Sequence, residues 1–260
     1  MHLTYKNTSI FFTSSGKGSV VVLLHGFLEN SSMWNATVGQ LSKKYRVICI
    51  DLLGHGQTEN HGYVHTMEDQ ATMVKAVLDS LRLRKYVLVG HSMGGYIALA
   101  FSKLFPKNVK GLCLMNSTAL PDSNEKIINR NRGIKAVKQN HKTFVRIAIP
   151  MLFSEKNRAI FTEEIKAVTQ EALNTSPQGI IAALEGMKIR KDTTSIYKTA
   201  CFPIQMIIGK QDPALDYSNL IQQTKNTNVR AVEYPDGHMS HIENKNFFIN
   251  DLTAFVKMCY

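Results

Sequence analysis

Ser92 is the residue whose surroundings suggest chemistry most directly, because it lies at the centre of a G-x-S-x-G pentapeptide. A short apolar run, 87–89, precedes the pentapeptide, and a helix-compatible segment, 96–101, follows it. The pattern predicts a buried strand, a sharp turn and a helix, with the serine at the tip of the turn in a strained conformation. A hydroxyl held above a helix N-terminus suits nucleophilic attack on a carbonyl carbon. The pentapeptide alone is equally compatible with a purely structural turn.

A serine hydroxyl needs a neighbouring base at neutral pH, and His238 and His241 are both candidates. A carboxylate would orient that base, and Asp212 and Asp216 are the candidates near a strand end. Asp216 directly precedes the segment Y-S-N-L, which makes it a better helix N-cap. Since ligands of an open parallel sheet bind beyond the carboxyl ends of its strands, a serine, a carboxylate and a histidine are expected at one edge.

The elements that would hold these residues alternate between apolar runs and amphipathic segments. This alternation predicts a parallel sheet covered by helices on both faces. Residues 2–13 predict an N-terminal β-hairpin. Further strands are predicted at 20–24, 46–50, 87–89, 109–115, 202–208 and 229–234.

The alternation stops at residues 119–200, which contain no clear strand pattern. We therefore predict a core domain formed by residues 1–118 and 201–260, with a helical cap inserted at 119–200. The name "cap" is used below for residues 119–200. Its amphipathic helices are predicted at about 124–138, 141–152, 155–173 and 177–188.

Five short motifs occur in an order that resembles the α/β-hydrolase superfamily over nearly the whole chain. They are His25-Gly26-Phe27, Asp51-x-x-Gly54-His55-Gly56, Gly90-His91-Ser92-Met93-Gly94-Gly95, Gly209-x-x-Asp212 and Gly237-His238-x-x-x-x-Glu243. The resemblance implies an α/β fold with a mostly parallel, eight-stranded sheet flanked by helices and an inserted helical cap.

The resemblance also implies roles for individual residues. Ser92 would be the nucleophile, His238 rather than His241 its base, and Asp212 the residue that orients the base. The chain order Ser…Asp…His is that of the superfamily. The backbone N–H groups of Phe27 and Met93 would form the oxyanion hole, while His55 is expected to be structural.

Apolar, methionine-rich segments predict a pocket that accepts an acyl or aryl group. Candidates for its roof come from the cap, and candidates for its floor come from the core. The roof candidates are Phe144, Ile147, Ile149, Met151, Leu152 and Phe153; the floor candidates are Trp34, Met93 and Met239. The predicted function is a serine hydrolase that cleaves small or medium carboxylic esters through an acyl-enzyme intermediate.

Other members of the superfamily remain alternatives on the same residues. The segment His25-Gly26-Phe27-Leu28, with Trp34 downstream, is similar to the menaquinone-pathway lyase branch. C–C bond hydrolases and cofactor-free haloperoxidases share the triad, whereas haloalkane dehalogenases and epoxide hydrolases usually have Asp where Ser92 stands. A ligand receptor or signalling protein of this fold is the non-enzyme alternative.

The chain is basic, with a formal net charge of +11. Residues 120–200 hold 14 Lys and Arg against 8 Asp and Glu, so they carry +6 of that charge. The basic residues are spread without a long run, which favours a solvated surface over nucleic-acid binding. The sharper alternative is an anionic substrate or partner that approaches this segment through arginines of the cap: Arg130, Arg132, Arg146, Arg158 and Arg190.

Composition also limits location and cofactors. No apolar run has the length of a membrane span, and the N-terminus lacks the pattern of a secretory signal. Cys49 and Cys113 lie in apolar runs, which predicts buried free thiols in a reducing compartment. No metal-ligand spacing is evident, so we expect no metal and no cofactor. The prediction is a cytoplasmic monomer or homodimer that binds a small-molecule ester or acyl substrate and neither nucleic acid nor membrane.

Overall fold

An eight-stranded sheet forms the centre of the molecule, as the resemblance implied. The computed structural model describes residues 1–260. The strands are β1 (His2–Tyr5), β2 (Thr8–Ser15), β3 (Val20–Leu24), β4 (Arg46–Ile50), β5 (Tyr86–His91), β6 (Val109–Met115), β7 (Ile204–Gly209) and β8 (Val229–Tyr234). Their order across the sheet is β1-β2-β4-β3-β5-β6-β7-β8. β2 is antiparallel to β1 and β4, and the remaining neighbours are parallel.

The central strand β3 explains why this sheet has helices on both faces. All five of its residues are buried, and it pairs in parallel with β4 and β5. Because side chains alternate across a strand, Val20, Val22 and Leu24 enter one hydrophobic cluster. Val21 and Leu23 enter a second cluster on the opposite face. A continuous apolar run is what a strand covered on both sides requires.

The helices of the core cover these two faces. They are α1 (Asn35–Leu41), α2 (Met67–Ser80), α3 (Met93–Leu104), α8 (Tyr217–Thr224), α9 (Ser240–Glu243) and α10 (Lys245–Cys259). The larger cluster contains side chains of α2, α3 and α8, and the smaller one contains side chains of α1 and α10. Cys49 and Cys113 are buried free thiols in the smaller cluster.

Only helical elements lie between β6 and β7. They are α4 (Asn124–Ala148), α5 (Thr162–Ala172), α6 (Pro177–Lys188) and α7 (Ile196–Thr199), with short 3₁₀ turns at Pro150–Leu152 and Glu155–Asn157. The backbone of α4 is non-helical at Asn140, where the sequence predicts a break between two helices. The cap boundaries at 119 and 200 remain predictions. None of the helices combines the length and the apolar character that crossing a membrane requires.

The cap helix α6 touches the backbone of the core directly. His65 N donates a hydrogen bond to Ala182 O at 2.9 Å. A Cβ built on Gly186 would lie 1.7 Å from the carbonyl oxygen of His65. The contact therefore requires a residue without a side chain at this position.

Replacing Gly186 with alanine is expected to lower the free energy of unfolding by about 1–3 kcal/mol, which is the usual cost of overpacking. Alanine's higher helix propensity returns at most about 1 kcal/mol of that loss. The matched control is Gly39→Ala in α1, where an added Cβ meets nothing within 4 Å. That variant should gain about 0.5–1 kcal/mol. Urea unfolding measures both, and a Gly186→Ala protein as stable as Gly39→Ala would contradict the close contact.

Candidate active site

Ser92 lies on a sharp turn between β5 and α3, with φ 47° and ψ −112°. This positive φ is rare for a residue with a side chain and holds the serine in a strained conformation. The flanking glycines follow from the same turn. A Cβ on Gly90 would lie 2.4 Å from the carbonyl carbon of Gly94, and one on Gly94 would lie 2.3 Å from Leu24 O. Strand and helix approach as closely as the sequence predicted.

His238 and Asp212 form a buried hydrogen-bonded pair at the neighbouring strand ends. His238 Nδ1 lies 2.7 Å from Asp212 Oδ2. The other carboxylate oxygen accepts hydrogen bonds from the backbone N–H groups of Ala214 at 2.8 Å and Leu215 at 3.0 Å. Burial alone would raise the pKa of Asp212, but the charge and hydrogen bond of His238 lower it. The ionised carboxylate makes Nδ1 the donor, which leaves Nε2 as the ring nitrogen available for proton transfer.

Asn116 is a residue of this site that the sequence analysis missed. It directly follows β6 in the left-handed conformation, with φ 46°. Its Nδ2 donates to Asp212 Oδ2 at 3.0 Å and to the carbonyl oxygen of Gly237 at 3.1 Å. Asn116 therefore ties the aspartate to the loop that carries His238. Its position after a predicted strand was the available signal.

The structure also shows where Asp216 and His241, the alternative candidates for the orienting carboxylate and the base, lie. Asp216 caps α8, since its side chain accepts a hydrogen bond from Asn219 N at 2.7 Å, as the sequence predicted. His241 lies in the short helix α9, where its Nε2 is 3.7 Å from Glu29 Oε1. Burial lowers the pKa of His241 to about 4, in spite of the nearby Glu29 carboxylate. His241 does not line the cavity that contains Ser92 and His238.

The loop after β3 brings Phe27 to the same place. Gly26 N donates to Glu29 Oε2 at 2.7 Å, and Leu28 has a positive φ of 64°. Phe27, between them, lines the cavity beside Ser92. Met93 is the first residue of α3, and the first N–H groups of a helix have no partner within it. Phe27 and Met93 therefore flank Ser92 from a loop and a helix N-terminus.

A buried ion pair connects the segments around Ser92. His91 Nδ1 lies 2.6 Å from Glu29 Oε2, and His91 Nε2 lies 3.0 Å from the carbonyl oxygen of His238. Both partners are acceptors, so both ring nitrogens carry protons and the ring is cationic. The pair joins the β3 loop, the turn at Ser92 and the His238 loop, although the sequence analysis gave it no role.

The pKa values of the two groups follow from this pairing. Burial alone would raise the pKa of Glu29, but the charge and hydrogen bond of His91 lower it to about 2. Burial alone would lower the pKa of His91, but the Glu29 carboxylate and the hydrogen bonds raise it.

The same contacts bear on metal binding. Ligand atoms of Glu29, His91 and His241 lie within 4.8 Å of one another. However, both nitrogens of His91 donate hydrogen bonds and offer no lone pair to a cation.

The cap also holds the His238 loop. His238 N donates to Leu152 O at 3.0 Å. Oε1 of the buried Glu243 accepts hydrogen bonds from Ser154 N at 3.0 Å and from Asn157 Nδ2 at 2.9 Å. Movement of the cap at Leu152 would therefore be transmitted to His238 through the hydrogen bond of the His238 backbone N–H.

A cavity of about 290 Å³ lies over Ser92, between the core and the cap. Its apolar side chains come from both parts of the chain, and its lysine and arginine come from α4. The lining residues are Phe27, His91, Ser92, Tyr96, Lys126, Asn129, Arg130, Gly133, Phe144, Leu152, Leu184, Met187, Ala214, Leu215 and His238. An acyl or aryl group of modest size fits such a volume.

Only some of the predicted pocket residues line the cavity. Phe144 and Leu152 line the cavity, and so does Arg130 among the arginines of the cap. Ile147 and Met151 do not, because they are exposed on the outside of the cap. The apolar character of these positions did not reveal which face of the kinked helix points inward.

The remaining predicted pocket residues are buried in places away from the cavity. Trp34 packs against Phe248 on the far face of the sheet, with ring centroids 6.0 Å apart. Phe153 packs against Phe161 within the cap. Met239 and Ile149 are fully buried and lie outside the lining, and the Met93 side chain belongs to the large core cluster. Tyr96, Leu184 and Met187 line the cavity and were not predicted.

A family profile described as "alpha/beta hydrolase fold" matches residues 19–245. The chain belongs to this family. A thermophilic esterase from Thermogutta terrifontis, solved with malate bound, is 28% identical with a TM-score of 0.90 and covers 100% of this chain and 98% of its own. An enol-lactonase from Burkholderia xenovorans LB400 is 22% identical with a TM-score of 0.91, over 99% and 100% of the two chains, and shows the fold alone.

Curated relatives are more distant or cover less of the protein. A putative 2-succinyl-6-hydroxy-2,4-cyclohexadiene-1-carboxylate synthase from Bacillus subtilis is 26% identical over 91% of this chain and 89% of its own length. An uncharacterized protein from Mycobacterium bovis is 34% identical, but the match spans 41% of this chain and 31% of that protein. The family and the esterase likeness support a hydrolase.

Proposed function

We propose that this chain is a serine esterase that cleaves small or medium carboxylic esters through an acyl-enzyme intermediate. The observation that carries the proposal is that Ser92 and His238 line one cavity while His238 Nδ1 bonds to the buried Asp212 carboxylate. This is the arrangement that activates a serine hydroxyl: nucleophile, base and orienting carboxylate.

The proposed reaction begins when Ser92 Oγ attacks the ester carbonyl carbon and His238 Nε2 takes the hydroxyl proton. Asp212 stabilises the resulting imidazolium and keeps Nδ1–H as the donor. The backbone N–H groups of Phe27 and Met93 stabilise the negative oxygen, and one such donor is typically worth about 3–4 kcal/mol. His238 then protonates the leaving alcohol, and water, activated by the same histidine, releases the acid from Ser92.

The cavity supports an ester of modest size as the substrate. Its volume of about 290 Å³ and its apolar side chains, including Phe144, Leu184 and Met187, suit a short acyl chain or an aryl group. The 28% identity to the Thermogutta terrifontis esterase, over nearly the full length of both chains, supports the same reaction class.

The test is covalent capture of the nucleophile in the folded protein. A fluorophosphonate probe is expected to form one adduct, located by peptide mass spectrometry on the peptide that contains Ser92. A panel of p-nitrophenyl esters from acetate to decanoate should show turnover that falls at the longest acyl chains, because the cavity is small. Labelling of another residue, or no turnover of any ester in the panel, would overturn the proposed function.

A further inference from the structure

We propose that the active-site cavity contains an anion-binding subsite centred on Lys126, and that the preferred substrate is an ester carrying a second, ionised carboxylate. The proposal rests on the esterase function proposed above and adds the substrate class. Hydrolysis breaks the ester C–O bond with water and releases an acid and an alcohol, one of which keeps the extra carboxylate.

Lys126 supplies a positive charge that no carboxylate neutralises within the cavity. It lies in the first turn of α4 and lines the cavity together with Ser92 and His238. Its Nζ donates to the carbonyl oxygen of Ala214 at 3.2 Å, a neutral partner. The N–H group of Ala214 in turn bonds to Asp212 Oδ1 at 2.8 Å. The ammonium group is therefore fixed beside the loop that orients the proposed base.

The neighbouring charges add to this positive potential. Arg130, which lines the cavity, and the buried Arg190 both pair with one carboxylate, Asp122, so this group keeps a net charge of +1. No residue that lines the cavity is acidic. Glu125 lies on the same turn as Lys126 but is exposed and outside the lining. In a partly water-excluded cavity these cations attract an anion more strongly than they would in bulk water.

Other side chains of the cavity are apolar, so a bound carboxylate would be only one part of a larger substrate. Phe144, Leu184 and Met187 offer apolar contact to a short methylene chain or an aromatic ring. A carboxylate that contacts Lys126 would form a charge-assisted hydrogen bond, and Asn129 is a further donor in the lining. Ester specificity would then come from the cap, while bond cleavage depends on the core.

Pairs of esters that differ in charge but hardly in shape test the proposal. The acyl-side pair is the p-nitrophenyl monoester of glutaric acid and the p-nitrophenyl ester of 5-methylhexanoic acid. The alcohol-side pair is p-acetoxybenzoate and p-isopropylphenyl acetate. In at least one pair, Lys126→Met should lower kcat/KM for the anionic ester about 10-fold or more beyond its effect on the neutral partner. A loss of this size corresponds to the loss of one hydrogen bond to a charged group. Lys126→Arg should retain most of the preference.

Lys138→Met is the matched control, because Lys138 is exposed on the same helix and outside the cavity lining. It should change neither member of a pair by more than about twofold, since surface substitutions have small effects. Equal losses for charged and neutral esters in Lys126→Met would mean that the lysine only supports the Ala214 loop, and would overturn the subsite. Neutral-ester turnover without any preference for the anionic partner would overturn this proposal and leave the esterase intact, whereas turnover that survives in Ser92→Ala would overturn the esterase itself.

Discussion

Ser92→Ala is expected to lower kcat/KM for p-nitrophenyl esters by at least about 10⁴-fold, because loss of the nucleophile in such triads costs up to about 10⁶-fold in kcat. Without the hydroxyl, His238 and Asp212 have no nucleophile to activate, and the acyl-enzyme cannot form. The residual rate comes from substrate binding and oxyanion stabilisation alone. Steady-state kinetics, with active-site titration to exclude contaminating wild-type enzyme, measures the loss.

The change in rate must be separated from a change in stability. Ser92→Ala keeps the turn and its flanking glycines, so the free energy of unfolding should change by no more than about 0.5 kcal/mol. Ser102→Ala is the matched control, because Ser102 is a buried serine in α3 whose hydroxyl donates only to Ala98 O of its own helix. Its kinetics should stay close to those of the wild type. Substantial ester turnover by a folded, pure Ser92→Ala protein would exclude Ser92 as the nucleophile.

The sequence allowed the positions of Ser92, Asp212 and His238 to be predicted because a parallel sheet brings its strand ends to one edge. Each residue follows a recognisable apolar run within a few positions, so strand direction indicates the edge of the sheet at which it lies. The helix N-cap at Asp216 and the helix break near Asn140 could also be predicted from the sequence. Both depend on local backbone hydrogen bonding, which a few neighbouring residues decide.

Contacts between distant loops could not be predicted in this way. Asn116 bonds to Asp212, 96 residues away, and His91 bonds to the carbonyl oxygen of His238, 147 residues away. These pairs depend on the paths of loops, and no periodicity encodes such paths. Some of the predicted pocket residues were wrong for a related reason. Ile147, Met151, Phe153 and Trp34 are apolar, but apolarity does not tell a cavity wall from a core position or an exposed helix face.

Glu29→Ala is expected to lower the free energy of unfolding at neutral pH by about 3–5 kcal/mol, the cost of leaving a buried charge without its partner. Glu29 and His91 are both almost completely buried and 2.6 Å apart. Alanine would also leave the N–H of Gly26 without its acceptor. Glu29→Gln, which keeps the shape and a carbonyl acceptor, should lose less than Glu29→Ala. Urea unfolding monitored by circular dichroism measures these differences.

The pH dependence of the wild type relative to Glu29→Gln gives the more specific test. Glu29 has its pKa lowered from 4.5 to about 2, so its contribution is present above 4.5 and is lost as the pH falls toward 2. His91 has its pKa raised above 6.5, so its contribution is complete below 6.5 and is lost as the pH rises through the raised value. His241, His25, His238 and Asp212 surround the pair in both proteins, so the comparison largely cancels their effects.

The stability advantage of the wild type over Glu29→Gln should therefore be largest between pH 4.5 and 6.5 and decrease on both sides. A control pair on the surface, Lys75 and Asp79, lies on α2 and is partly exposed, so Asp79→Asn should cost no more than about 0.5 kcal/mol. A difference between wild type and Glu29→Gln that does not vary with pH would show that Glu29 acts through its shape and not its charge. The ion pair would then have no part in joining the three loops around Ser92.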